Sequence, residues 1–130
     1  MEKELQFHPS EINHKSIKYI DEFYYQIQNF SCENSSMERF LKKEAHYADI
    51  TREACTTVIY VNELAAYYTL LRTPIEAETD ADMALHIARL AVDNKYKGKG
   101  LGTFLVKQIV DNAYQVNESF ITTDALYDKW

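Results

Sequence analysis

All three glycines of this 130-residue chain lie within five residues, at Gly98, Gly100 and Gly102. Three is a low count, because glycine makes up about 7% of an average protein. The cluster follows an apolar stretch, Ala84–Val92, that predicts a strand, and it opens a helical pattern over Gly100–Tyr114. Glycine allows backbone angles and close approaches that other residues forbid, so the cluster indicates an unusual backbone at this junction.

A second predicted strand, Phe120–Thr123, follows the helix. Strand, helix and strand in this order predict a βαβ unit, with two parallel strands and a right-handed crossover. The first strand is apolar on both faces, which predicts a central position in the sheet. The glycine loop then lies at the carboxyl end of a strand, where ligands commonly bind. Since a helix start offers unpaired N–H groups and a partial positive charge, we expect a phosphate site there, with Lys97 and Lys99 adding charge.

The remaining pattern predicts a mixed α/β domain. In chain order the other predicted elements are a strand at Lys3–His8, a helix at Ser16–Phe30, a helix capped by Ser35 and Glu38, a hairpin of Ala54–Val61 and Leu64–Arg72 turning at Asn62-Glu63, and a polar loop at Thr73–Asp82. We expect one domain over residues 1–130, divided into an N-terminal half at 3–83 and the βαβ unit at 84–124.

Composition excludes several classes of protein. Apolar residues make up 46% of the chain and charged residues 26%, which argues against disorder. No apolar run reaches the roughly 18 residues of a membrane span, and the charged N-terminus is unlike a signal peptide, so a cytoplasmic protein is expected. A net charge of −6 argues against nucleic acid as a partner. Cys32 and Cys55 lack metal-ligand spacing, so we expect no metal and two free, mostly buried thiols.

The glycine spacing selects among phosphate ligands. A Walker loop requires Gly-Lys followed by Ser or Thr, and a dinucleotide loop requires G-x-G-x-x-G; neither fits. Arg89-Leu90-Ala91-Val92-Asp93 followed by Lys97-Gly98-Lys99-Gly100-Leu101-Gly102 resembles the acetyl-CoA motif of the GNAT acetyltransferases, Q/R-x-x-G-x-G/A. Lys97 stands where that family has Gln or Arg.

This resemblance implies a GNAT-like acyl-CoA N-acyltransferase fold with acetyl-CoA as co-substrate. In the family, the strand before the loop pairs its backbone with the pantetheine arm, and the loop amides bind the pyrophosphate. The cofactor-binding residues it implies are Leu90, Ala91, Val92, Lys97, Gly98, Lys99, Gly100, Leu101, Gly102 and Thr103. The function it implies is acetyl transfer from acetyl-CoA to a primary amine of a small or peptidic acceptor.

A segment of the N-terminal half is similar to the GNAT toxins of toxin–antitoxin pairs. It comprises Phe30–Asn34, Met37, Phe40-Leu41, Ala45 and Tyr67–Leu70, with Glu33 and Ala66 where that branch often has glycine. Those toxins acetylate aminoacyl-tRNA. Because RNA binding requires basic surface and this chain is acidic, we keep that acceptor as an alternative. A non-catalytic acyl-CoA-binding module is another, and a homodimer would follow the habit of the superfamily.

Catalytic residues are not assigned from the sequence. In many family members a tyrosine on the helix after the fifth strand protonates the leaving thiolate, but residues 124–130 end where that helix should begin. We therefore expect a fold truncated at its C-terminus. His86 has a suitable intrinsic pKa for a general base, although a lone strand histidine is more often structural. Tyr67 and Tyr68 could order a water, but packing is the better interpretation in a chain with ten tyrosines.

Overall fold

In the computed structural model of the chain, which describes residues 5–74, 83–115 and 121–123, five strands form one sheet in sequence order. The strands are β1 (Asn13–Ser16), β2 (Cys55–Val61), β3 (Glu63–Pro74), β4 (Met83–Val92) and β5 (Ile121–Thr123). Neighbours from β1 to β4 are antiparallel, whereas β4 and β5 are parallel. The parallel pair joined through a helix confirms the predicted βαβ unit and the mixed α/β class.

The helices divide between the two faces of the sheet. They are α1 (Ile20–Gln28), α2 (Ser35–Arg39), α3 (Ala45–Ile50) and α4 (Leu101–Gln115), with a π-helical turn, Phe40–Glu44, between α2 and α3. The first three cover one face and α4 covers the other.

Each face carries its own group of buried side chains. The α1–α3 core includes Ile27, Phe30, Leu41, Val58, Tyr67 and Ala91. The α4 core includes Ile59, Ile87, Leu90, Val92, Leu101, Leu105 and Ile109. Strand β4 thus contributes side chains to both cores, which agrees with the doubly covered strand expected from its sequence.

One irregularity in β4 bends the strand beside the site. Thr69 of β3 pairs with Arg89, but the next residue, Leu70, pairs with Ile87, so Ala88 is an extra residue in β4. Such a bulge bends its strand and increases the local twist. The described part of β5 pairs with β4 only over Leu85–Ile87, immediately before the bulge.

The first predicted strand is wrong. Residues 5–8 form no strand, and the first strand is β1, which pairs with β2. Leu5 and Phe7 alternate with polar residues as strand residues do. Their side chains pack against the α4 core, but the backbone that carries them is irregular. Lys3 and Glu4, the remaining acidic loop at 75–82, and the C-terminal residues 124–130 lie outside the described residues.

Three smaller expectations also change. The cap of α2 is Asn34, one residue before the expected Ser35, and its Oδ1 accepts from the Met37 N–H at 3.1 Å. Cys32 is buried, but Cys55 is exposed at the start of β2. The predicted loop at Thr73–Asp82 begins later, since β3 continues to Pro74.

Tyr67 provides a test of the α1–α3 core. Its side chain is fully buried, and its hydroxyl donates to the Met37 carbonyl at 2.6 Å, which ties β3 to α2. Replacing Tyr67 by Phe removes the donor and leaves that carbonyl buried without it. We expect a loss of about 1–3 kcal/mol in the free energy of unfolding, measured by urea denaturation. Tyr47→Phe, at an exposed position, should change nothing; an equal effect of the two variants would contradict this account.

Candidate functional site

The glycine loop has the left-handed backbone that its sequence predicts. A short 3-10 turn, Asn94–Tyr96, follows β4, and α4 begins at Leu101. Gly98 has a φ of 76° and Gly100 a φ of 81°, where a side chain would clash with its own backbone. These angles explain why both positions are glycine.

The loop presents the N-terminus of α4. The Gly100 carbonyl accepts from the Phe104 N–H at 3.0 Å, which makes Gly100 the residue that caps the helix. In this geometry the N–H groups of residues 100–103 have no acceptor within the helix. Gly102 is buried in the first turn. The backbone here fits an anion such as a pyrophosphate, because its N–H groups converge at the positive end of the helix dipole.

A buried carboxylate fixes the start of the loop. Asp93 is only 3% exposed, and its Oδ2 accepts from the Ser31 N–H at 3.1 Å while its Oδ1 accepts from the Lys95 N–H at 3.0 Å. The Asp93 N–H donates to the Ala65 carbonyl at 2.8 Å, and the Asn94 N–H donates to the Ser31 carbonyl at 2.7 Å. The segment before α2 is therefore joined to the loop.

The three lysines in and just before the glycine loop have separate neighbours. The Lys97 ammonium donates to the Cys32 carbonyl at 2.5 Å and lies 4.0 Å from the Glu33 carboxylate. Lys95 forms an ion pair with Glu63 at 3.0 Å. The Lys99 ammonium lies 5.9 Å from the centre of the Phe7 ring. Lys97 thus contacts the segment before α2, a placement that its position in the motif did not indicate.

The backbone at Glu33 has a conformation that favours glycine, the residue that the resemblance to the toxin branch leads us to expect at this position. Glu33 has a φ of 63°, in the left-handed region. A residue other than glycine is strained there by about 1–2 kcal/mol. The contacts around it, from Asp93 to Ser31 and from Lys97 to Cys32, hold the strained turn in place.

A segment near the N-terminus packs on the outside of the loop. The Gln6 N–H donates to the Lys99 carbonyl at 2.9 Å, and the Phe7 and Tyr96 rings lie 5.9 Å apart. The Tyr96 hydroxyl donates to the Val61 carbonyl at 2.8 Å. Sequence reasoning missed this support because an irregular segment carries no periodic signal that identifies its partner.

The end of β4 leaves one edge open among the residues that the structure describes. Leu90, Ala91 and Val92 pair with β3, but the described pairing with β5 ends at Ile87. Within that described part of the chain, the backbone N–H and C=O groups on this edge could meet an extended ligand. This fits the amide-containing pantetheine arm of acetyl-CoA, which the loop alone would not hold.

Arg89 lies directly before this open edge and on the face covered by α2. Its guanidinium carbon is 4.3 Å from the centre of the Phe40 ring. Its Nη1 donates to the Ser36 hydroxyl at 3.5 Å and to the Met37 sulfur at 3.8 Å, both long contacts. Sequence reasoning used Arg89 only as part of the motif and did not place it against α2.

The other candidate side chains have structural surroundings. Burial raises the pKa of the Tyr67 phenol well above its usual range, so Tyr67 stays protonated and holds the Met37 carbonyl. Burial also raises the pKa of Tyr68. His86 is half-buried on β4.

In the described part of the chain, no three His, Cys, Asp or Glu side chains are placed to share a metal ion. No helix there combines the length and apolar character that a membrane crossing requires.

A family model described as the acetyltransferase (GNAT) family matches residues 17–127, which include the whole loop and β4. The chain belongs to this acetyltransferase family. It is therefore an N-acetyltransferase of the GNAT type, and acetyl-CoA is its acetyl donor. No curated protein matches the chain significantly.

Solved GNAT structures share the fold at low sequence identity. A mutant of the AtaT toxin bound to the C-terminus of the antitoxin AtaR and acetyl-CoA is 20% identical, with a TM-score of 0.73 and coverage of 89% of this chain and 76% of that chain. AtaT complexed with acetyl-methionyl-tRNAfMet is 16% identical, with a TM-score of 0.70 and coverage of 88% and 78%. The KacTA–DNA complex is 23% identical, with a TM-score of 0.71 and coverage of 88% and 76%.

Asp93 is the residue of this GNAT site whose removal is easiest to interpret. Asp93→Ala leaves the Ser31 and Lys95 N–H groups, both half-buried by the loop, without their acceptor. We expect the free energy of unfolding to fall by about 1–3 kcal/mol, measured by urea denaturation. Asp111→Ala, on the exposed side of α4, is the matched control and should cause no loss. A similar stability for the two variants would show that Asp93 does not hold the loop.

Proposed function

We propose that this chain transfers the acetyl group of acetyl-CoA to the amino group of an aminoacyl-tRNA. In this proposal, the open edge of β4 at Leu90–Val92 holds the pantetheine arm and the loop from Lys97 to Thr103 holds the pyrophosphate. The observation that carries it is the end of β4, which has no strand paired to it beyond Ile87 among the described residues and leads directly into two left-handed glycines and the N-terminus of a 15-residue helix.

The roles of the loop residues follow from what each can offer. The side chains of Leu90, Val92 and Leu101 are buried in the α4 core, so their contribution to a ligand is their backbone. Gly98 and Gly100 provide the chain path, and the N–H groups of residues 100–103 donate to phosphate oxygens. Lys97 and Lys99 supply positive charge beside them. When bound, acetyl-CoA supplies a thioester that a neutral amine can attack.

Two observations support an RNA-borne acceptor. AtaT, which shares this fold, has been solved with acetyl-methionyl-tRNAfMet. In this chain, Arg39, Lys42 and Lys43 lie on neighbouring turns of the helical segment 35–50, and Arg39 and Lys43 are exposed. RNA binding depends on such local positive surface rather than on net charge. The sequence-based argument against nucleic acid used the net charge of −6 and is not confirmed.

The cofactor part can be tested with two substitutions at one position. Gly100→Ala and Gly100→Asp both place a side chain at a left-handed backbone position, so both should lose stability. Only Asp adds a negative charge next to the proposed pyrophosphate. We expect it to weaken acetyl-CoA binding on the order of 100-fold more than Ala does, measured by calorimetry. Equal affinities for acetyl-CoA in the two variants would show that the pyrophosphate binds elsewhere.

The acceptor part requires a comparison of amines. Purified protein with acetyl-CoA should release thiol with aminoacyl-tRNA, and mass spectrometry should find the acetyl group on the amino acid. Deacylated tRNA should give no release. If the protein preferred a peptide or a small amine, the acceptor would be of the class first expected from the sequence, and the RNA proposal would be wrong. If it bound acetyl-CoA but acetylated no amine, it would be a non-catalytic binding module.

A pair of lysine variants tests the proposed RNA surface. Lys43→Ala removes an exposed charge from the α2–α3 side, and Lys107→Ala removes one from α4 on the opposite face. We expect Lys43→Ala to raise the KM for aminoacyl-tRNA. The slope of log affinity against log salt concentration should become shallower by about 1, the loss of one phosphate contact. Lys107→Ala should leave both unchanged. Equal effects would mean that the RNA does not lie on the α2–α3 side.

A further inference from the structure

We propose that Arg89 determines which amines this enzyme accepts, by binding an oxygen atom next to the reacting amino group. This inference rests on the proposed function, since it takes the open edge of β4 as the path of the pantetheine arm. It concerns the acceptor rather than acetyl-CoA.

The direction of the bound arm places its reactive end near Arg89. If the phosphates bind at residues 98–103, beyond the C-terminal end of β4, the arm would run back along Val92, Ala91 and Leu90. Its acetyl end would then face the residues just before Leu90. Those residues are Arg89 and the bulge at Ala88, which directly follow the described pairing of β4 with β5 over Leu85–Ile87.

The side chain of Arg89 is on the face from which an acceptor can come. Leu90 and Val92 turn into the α4 core, whereas Arg89 contacts Phe40 and Met37 on the α2 side. The proposed RNA surface, Arg39 and Lys43, belongs to the same helical segment as Phe40. An amine carried on RNA held there would approach the acetyl group past the guanidinium.

The guanidinium is positioned but retains capacity for a ligand. The Phe40 ring holds it by a cation–π contact at 4.3 Å, and it also interacts with the Tyr67 side chain. Its hydrogen bonds through Nη1 are long, at 3.5 Å to Ser36 and 3.8 Å to the Met37 sulfur. A guanidinium carries five N–H donors. A ligand oxygen could replace these weak contacts with a shorter, charge-assisted hydrogen bond.

The chemistry of this cation discriminates between classes of amine. An aminoacyl ester carries a carbonyl oxygen one carbon away from its amino group, and the guanidinium can bind that oxygen. A polyamine offers no such oxygen and brings a second positive charge, which the guanidinium repels. Arg89 should therefore favour aminoacyl acceptors and exclude polyamines.

Two variants of Arg89 test this role. Arg89→Met keeps an unbranched, apolar side chain against Phe40 but removes the charge and the donors, whereas Arg89→Lys keeps the charge. We expect Arg89→Met to lower kcat/KM for aminoacyl-tRNA by about 10-fold or more, chiefly through KM, and to leave or raise the rate with spermidine. Arg89→Lys should recover part of the loss. Lys107→Met, which removes a cation from the opposite face, should keep the preference of the unaltered protein.

The outcomes separate this inference from the proposed function. Calorimetry should give the same acetyl-CoA affinity for Arg89→Met as for the unaltered protein. An equal loss with every acceptor, or a loss of acetyl-CoA affinity, would give Arg89 a structural role and overturn the inference alone. Failure of the unaltered protein to acetylate aminoacyl-tRNA would overturn the proposed function and this inference with it.

Discussion

The carboxylate of Asp93 binds backbone N–H groups from two distant segments, and the arrangement of the site depends on this contact. One donor is Ser31, before the helices of the α1–α3 face, and the other is Lys95, at the start of the glycine loop. An ionised carboxylate is strongly destabilised in a buried position unless such donors compensate for its lost hydration. The helical face and the cofactor loop are therefore held in one relative position, which a two-substrate enzyme requires because both substrates must meet.

The βαβ unit could be predicted from the sequence because its signals are local. Strand β4 ends at Val92 as expected and α4 begins within one residue of its expected start, since apolar periodicity and the glycine cluster mark both elements. The N-terminal region could not be predicted in the same way. Leu5 and Phe7 alternate as strand residues do, but their position is decided by tertiary contacts with Lys99 and Tyr96. No local pattern encodes a partner some ninety residues away.

The candidate site shows the same division. The motif locates the ten proposed cofactor residues along the chain, and the left-handed angles at Gly98 and Gly100 agree with the reason for their glycines. The partners of the charged side chains could not be predicted in this way, because they depend on how the helices and strands are assembled. Arg89 and Ser36 are 53 residues apart, and Lys97 and Cys32 are 65 residues apart. Only the folded chain shows that both cations contact the segment around α2.

The bulge at Ala88 decides which side chains of β4 face each core, and in the proposed function it lets one strand serve both substrates. Side chains alternate along a regular strand, so without the extra residue Arg89 would share a face with Leu85 and Ile87, in the α4 core. The bulge shifts the alternation by one, and Arg89 instead contacts Phe40. The described pairing of β4 with β5 ends at Ile87, one residue before the bulge. In the proposed function, one inserted residue thus turns the cation toward the acceptor, and the residues that follow it would meet acetyl-CoA, which links the two halves of the proposed site.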